Sequence, residues 1–384
     1  MLNNQKSLFS LPEDIHYLNC AYMGPQLKTV EQAGIAAIQK KNNPIQIKPD
    51  HFFEEAEALR KAFGQLVNAN AKQVAIIPSA SYGMMAAVNN LPLNNGNTAI
   101  VVGEEFPSGY FSIARWCEEN RKTLQVIERP SGRGAVGGSW NEQILESINQ
   151  NTAVVLMSTV HWTDGTRFLL EEIGEKCKEH GAYFILDGTQ SVGAIPIDVH
   201  AIKADALICA GYKWLLGPYS IGLVYYAEKF NEGRPLEESW MNRSNSTDFS
   251  GLTNYAHDYS AGAGRYNMGE FSNFVLLPML HTAIQQILDW GEGTIQAYVK
   301  NLAIPLRPFF ESNGYGIEED NFRSPHLFGI HLPKDLDKTT LLKKLEDRKI
   351  YVSVRGEAIR LSLHLYNTSE DLESLMDVLD RPSK

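Results

Sequence analysis

Tyr183-Phe184-Ile185-Leu186-Asp187-Gly188-Thr189-Gln190-Ser191 is the stretch that decides the fold. Its apolar residues run without a break into a carboxylate and a glycine. Such a run fits a short strand buried on both faces, and strands of that kind belong to parallel sheets covered by helices on either side. The acid then stands at the strand's C-terminal end, the edge where open α/β sheets take their ligands. Left unpaired in such a place a carboxylate is costly, so it needs a positive partner.

A partner is at hand in Cys209-Ala210-Gly211-Tyr212-Lys213-Trp214-Leu215-Leu216-Gly217-Pro218. A second apolar strand leads to Lys213, aromatics flank it, and a Gly-Pro turn follows. Surface lysines seldom sit among Tyr, Trp and Leu. Desolvation there lowers the pKa of an amine and makes it a nucleophile toward carbonyls. Snorkelling over an apolar wall, or a plain Asp–Lys ion pair, accounts for either residue alone. Neither explains why Gln190 follows the acid or why aromatics flank the amine.

Working outward, seven strands are expected at Val74–Ile77, Ala99–Val102, Leu124–Glu128, Ala153–Ser158, Tyr183–Asp187, Asp205–Ala210 and Ile221–Tyr226. Helical patterns alternate with them, as at Phe168 to His180, which Gly181 stops. The fold class is therefore α/β, with a large domain built on a mostly parallel seven-stranded sheet between helices. Residues 231–275 turn polar and loop-rich. Beyond them a helix is expected from Leu277 to Trp290, then a strand at His326–Leu332, a helix at Thr339–Arg348 and strands at Tyr351–Arg355 and Ala358–His364. A last helix follows, its start marked by a Thr368–Asp371 capping box. The expected organisation is an N-terminal arm (1–25) packing with the small domain, a large domain (26–275) and a smaller C-terminal α+β domain (276–384).

The 384 residues carry a formal net charge of −10 and no long basic run, which argues against nucleic acid as a partner. The four cysteines show no metal-ligand spacing and read as reduced structural thiols, and no metal is expected. No segment reads as a signal peptide or a membrane span, so a cytoplasmic address with no membrane partner is expected.

Ser79-Ala80-Ser81-Tyr82-Gly83 follows the first strand and opens a helix. Free amides and the helix dipole make such a start a seat for phosphate, although an ordinary Ser N-cap reads the same way. A lysine, an acid and a phosphate seat on one sheet edge specify pyridoxal phosphate (PLP). The amine takes its aldehyde, Asp187 its ring nitrogen, and Ala80 and Ser81 its phosphate.

In these motifs the chain resembles, from about Tyr17 to Leu379, the class V aminotransferases among the fold-type I PLP enzymes. That group also holds cysteine desulfurases, kynureninases and isopenicillin N epimerase-like proteins. The resemblance implies that Lys213 is the Schiff-base lysine, that Asp187 and Gln190 form the family's acid–x–x–Gln pattern, and that Gln190 bonds the ring hydroxyl. It implies that Tyr212 touches phosphate and that Phe106, in Glu105-Phe106-Pro107-Ser108, stacks on the pyridine. Trp162 stands where many relatives carry Asn and implies an aromatic wall. Arg360, in Ala358-Ile359-Arg360-Leu361-Ser362, looks like the arginine that grips the substrate carboxylate. A homodimer is implied as well. Gly132-Arg133-Gly134-Ala135-Val136-Gly137 matches a dinucleotide fingerprint, but Pro130 and Ser131 intervene after the strand, and a flexible surface loop is the better reading.

The expectation is a PLP-dependent enzyme acting on a small amino acid, first an aminotransferase, with a kynureninase-like or β-eliminating lyase, a hydrolase or an epimerase as the alternative. Since no cysteine follows Cys209, desulfuration by a mobile C-terminal cysteine is set aside.

Overall fold

The computed structural model describes residues 2–93 and 95–381. All seven expected strands form one sheet. Across it they run Val74–Ile77, Gly222–Tyr226, Ala206–Ala210, Tyr183–Asp187, Thr152–Ser158, Thr98–Val102, Thr123–Ile127. Only Gly222–Tyr226 opposes its neighbours; the remaining pairings are parallel. Phe184 and Leu186 point into one apolar cluster and Ile185 into another, so the central strand is buried on both faces. The strand expected from Asp205 starts at Ala206 because the Asp205 carboxylate is engaged elsewhere. It accepts the Phe184 N–H at 2.9 Å and pairs with Lys229 at 2.7 Å.

A second, antiparallel sheet has the order Ser353–Arg355, Ala358–Ser362, Leu327–His331, Gly316–Ile317. The helices Lys338–Asp347 and Ser369–Leu379 pack with it, the latter opened by the Thr368–Asp371 capping box. The N-terminal arm lies along this part: His16–Tyr17 pairs in parallel with Ile350–Tyr351, and Leu18 joins the same apolar cluster as Phe328 and Ile359. The helix Leu276–Trp290 behaves differently from the helices Lys338–Asp347 and Ser369–Leu379. Its stripe of Leu277, Leu280, Ile284 and Ile287 packs into the cluster that holds Phe63 and Leu207, on a face of the large sheet.

The glycine-rich loop is not a free surface loop. Arg133 donates to the Leu332 carbonyl at 2.7 Å, and the amides of Val136 and Gly137 donate to the Glu318 carboxylate, both at 3.1 Å. A carboxylate therefore already caps the helix Gly137–Ser147, where a dinucleotide fingerprint would present its amides to pyrophosphate.

Candidate active site

The cavity of ≈ 320 Å³ at the C-terminal edge of the parallel strands is lined by Ala80, Ser81, Phe106, Trp162, Asp187, Gln190, Tyr212 and Lys213. Every expected site residue but one is thus brought to a single wall system. The exception is Arg360, which reaches the cavity only through Trp162. The groove of ≈ 350 Å³ between Ala33, Ala37 and Phe274 is also lined by Lys40, Glu54 and Glu55, but Lys40 and Glu54 are exposed there, whereas Lys213 and Asp187 are buried.

Lys213 is buried, and its Nζ lies 5.6 Å from the ring centroids of both Phe106 and Tyr212. Burial pushes its pKa down to about 8; Asp187 opposes that shift, while Arg360 and Arg355 reinforce it. Asp187 ends its strand in register with Ser158 and accepts the Thr189 amide at 2.9 Å. Burial holds its pKa above the ordinary carboxylate value despite the Thr189 hydrogen bonds and the Lys213 charge. Among the described residues neither Lys213 nor Asp187 forms an ion pair. The fold holds an amine and an acid in one cavity without letting them neutralise each other by contact.

The helix Ala80–Val88 starts directly behind Ser79, which caps it, its Oγ accepting the Tyr82 amide at 3.2 Å. The Ala80 and Ser81 amides make no hydrogen bond among the described residues, so a pair of donors at the positive end of the dipole remains open. Gln190 is largely committed: its Oε1 accepts the Trp214 indole N–H at 2.9 Å and its Nε2 donates to the Ala21 carbonyl at 3.2 Å. One amide hydrogen is left for a ligand. His326 fixes the same segment at 2.7 Å from the Gln190 carbonyl oxygen, and burial drives its pKa down to about 4. Phe106 and Trp162 meet edge to face at 5.4 Å, and the Trp162 indole donates to the Glu104 carbonyl at 2.7 Å.

Several members of the site escaped the sequence reading. Ser158 ends its strand beside Asp187, a signal that reading all strand ends together would have caught. Buried Glu105 accepts the amides of Ser158 (2.6 Å) and Phe106 (2.7 Å) and so ties two cavity residues together. Thr189 accepts the Ala210 amide at 3.2 Å, linking the acid's loop to the lysine's strand. The four cysteines are buried and unpaired, and burial raises all four thiol pKa values. Among the described residues no group of His, Cys, Asp and Glu is placed to hold a metal, and no helix is long and apolar enough to cross a membrane.

Arg360, on Ala358–Ser362, is 1% exposed. Its Nη1 donates to the Trp162 carbonyl at 2.6 Å, while Nε and Nη2 are buried without a partner among the described residues. Burial and then Arg355 push its pKa down to about 9, which leaves it cationic at neutral pH. Such open donors fit a carboxylate or another planar anion.

Known proteins share this architecture. An uncharacterized aminotransferase of Bacillus subtilis (strain 168), YcbU, is 25% identical over 326 residues, 84% of this chain and 83% of the relative. A probable cysteine desulfurase of Methanothermobacter thermautotrophicus is 24% identical over 347 residues, 84% and 82% of the two chains. The solved structure of a C-DES mutant with glycine covalently linked to its PLP cofactor superposes with a TM-score of 0.84 over 98% of each chain, at 18% identity. Relatives named as desulfurases give no support to setting desulfuration aside, and that exclusion is withdrawn. The model of the aminotransferase class-V family, which uses pyridoxal phosphate, matches residues 48–375, and the chain belongs to that family.

Proposed function

We propose that this class-V family member transfers the amino group of a small amino acid, with Lys213 and Asp187 as its catalytic pair. The observation that carries the proposal is the meeting of a depressed-pKa amine and a buried, unpaired carboxylate in one cavity. The residues fit the family's cofactor at each end. Asp187 wants a cation beside it, the Ala80 and Ser81 amides offer an anion seat, and Lys213 has the free amine that an aldehyde requires. When bound, pyridoxal phosphate supplies that aldehyde and a ring that draws off the electron pair released at the substrate's α-carbon.

The chain's own work is positional and protonic. Asp187, its carboxylate supported by the Thr189 hydrogen bonds, would hold a proton on the cofactor's ring nitrogen through a charge-assisted hydrogen bond. Arg360 orients the substrate's α-carboxylate through its open guanidinium edge. Phe106 and Trp162 wall the cavity and keep water from the reacting carbon. Gln190 would offer its remaining N–H to the cofactor's ring oxygen, and Tyr212, which lines the same cavity as Ala80 and Ser81, would contact its phosphate. Lys213 Nζ is the base that takes the α-proton, and a pKa of about 8 suits that task near neutral pH. Amino transfer, β-elimination and epimerisation differ in where that proton goes next. A homodimer completes the proposal.

The test is a panel of amino acids, each with and without a keto-acid acceptor, followed by cofactor absorbance and product analysis. Amino transfer predicts the aminated cofactor without an acceptor and a new amino acid with one. Release of ammonia and a keto acid from β-substituted substrates without acceptor would replace it with the lyase reading. Loss of stereochemical purity alone would replace it with epimerisation.

A further inference from the structure

The C-terminal hairpin carries a second arginine that the mechanism above does not use. In the pairing of Ser353–Arg355 with Ala358–Ser362, Ser353 lies opposite Arg360 and Arg355 opposite Ala358. Residues opposite each other share a face, and so do residues two apart along a strand. Arg355 and Arg360 therefore project from the same face as diagonal neighbours, their Cβ atoms on the order of 7 Å apart.

Both converge on Trp162, which lines the cavity. Arg360 donates to its carbonyl, and the Arg355 guanidinium sits over its ring at 5.6 Å. Arg355 Nη1 donates only to the neighbouring Val354 carbonyl at 2.8 Å, and its Nε is buried without a partner among the described residues. Neither arginine has an ion-pair partner among the described residues, although the chain holds 45 acidic residues against 35 basic ones. Two cations side by side repel each other, an arrangement that an arriving anion relieves. One α-carboxylate satisfies one fork; the second fork remains.

We propose that Arg355 recognises a second acidic group, making the substrate class an amino acid with an anionic side chain and its partner a dicarboxylic keto acid. The inference rests on the reading of Arg360 as the α-carboxylate site. Trp162 between the two forks supplies an apolar surface for the methylenes that join the two acids, and the hairpin's register sets the reach at a few carbon–carbon bonds.

The experiment has two arms on the cofactor-loaded protein. In the first, glutarate and butyrate, neither of which can react, are titrated by calorimetry. Glutarate should bind more tightly by on the order of 10- to 100-fold, the usual worth of a charge-assisted contact. Arg355→Met, which keeps the stem over Trp162, should erase that preference, and Arg355→Lys should restore part of it. In the second, the ratio of kcat/KM for glutamate over norvaline should exceed about tenfold and fall toward unity in R355M. A wild-type protein that binds both acids alike, or a ratio that R355M leaves where it was, overturns the proposal. The latter result would mean that both arginines serve the α-carboxylate. Failure of the broader reading looks different: no borohydride-stable adduct at Lys213 and no spectral response to any amino acid.

Discussion

The sheet wall that lines the cavity and the C-terminal hairpin that backs it behind Trp162 are built on opposite principles. On the wall made by the parallel sheet, polar side chains are held by the chain itself. Thr189 bonds Asp187, Trp214 and Ala21 hold Gln190, and Glu105 ties Ser158 to Phe106. On the outer wall, the C-terminal hairpin behind Trp162, the two arginines keep buried donors that have no partner among the described residues. Preorganised groups suit a resident that never changes, since fixed donors and acceptors need no rearrangement during the reaction. Open guanidinium forks suit a molecule that arrives and leaves. On the proposed reading the inner wall is the cofactor's and the outer wall the substrate's.

The largest effects should follow from breaking the inner wall. Lys213→Ala should abolish the borohydride-trapped adduct, leave the cofactor bound only noncovalently, and lower turnover by about 10²–10⁴-fold, the usual worth of a positioned base. A trapped adduct in that variant would move the chemistry to another lysine. Asp187→Ala should keep the adduct but lose a comparable part of the turnover, and wild-type turnover there would remove its role at the ring nitrogen. Arg360→Met should act on the outer wall instead. It should raise KM by on the order of tenfold or more and spare the adduct, since a charge-assisted contact is lost without disturbing the amine.

A milder test asks how poised the amine is. A lysine with a pKa of about 8 is mostly protonated below that value and mostly free above it. In cofactor-free protein, adduct formation with a small aldehyde should therefore climb about tenfold per pH unit up to about 8 and level off above it. A plateau reached only near the ordinary lysine value would show that the burial is not felt at Nζ.

The asymmetry between the walls also explains what the sequence disclosed. The seven strands were readable within about a residue, because a strand buried on both faces leaves an unbroken apolar run that little else imitates. Their C-terminal ends put Asp187, Lys213, Ala80 and Ser81 on one edge as soon as the sheet was assumed. Ser158 and Thr189 were passed over because a single hydroxyl at a strand end looks like any cap. The hairpin was harder. Its strand Ser353–Arg355 is short and mixed in character, so nothing in the local pattern says that Arg355 and Arg360 share a face; register alone decides that. The helix Leu276–Trp290 joined the large core because an amphipathic stripe announces that a face is buried without saying against what. The glycine-rich loop misled in the same manner, since the sequence cannot announce that Glu318 will cap it.

The smallest expected effect concerns how the inner wall is braced from the other part of the molecule. His326, directly before the strand Leu327–His331 of the small sheet, contacts the Gln190 carbonyl, and its ring packs edge to face on Trp214 at 4.4 Å. Its folded pKa of about 4 lies below the free value of 6.5. Between those values the unfolded chain binds the proton and the folded chain refuses it. The bracing is therefore intact above about pH 6.5 and is lost as pH falls toward 4, costing at most about 3 kcal/mol. Glu292 slopes the other way, since burial lifts its pKa to about 8 and the folded state holds that proton as pH falls. The histidine's share has to be isolated by difference: the denaturant midpoint of wild type should drop more steeply from pH 6.5 to 4 than that of His326→Gln. Parallel curves would mean that His326 meets water as the small sheet shifts, and that the inner wall stands without this brace.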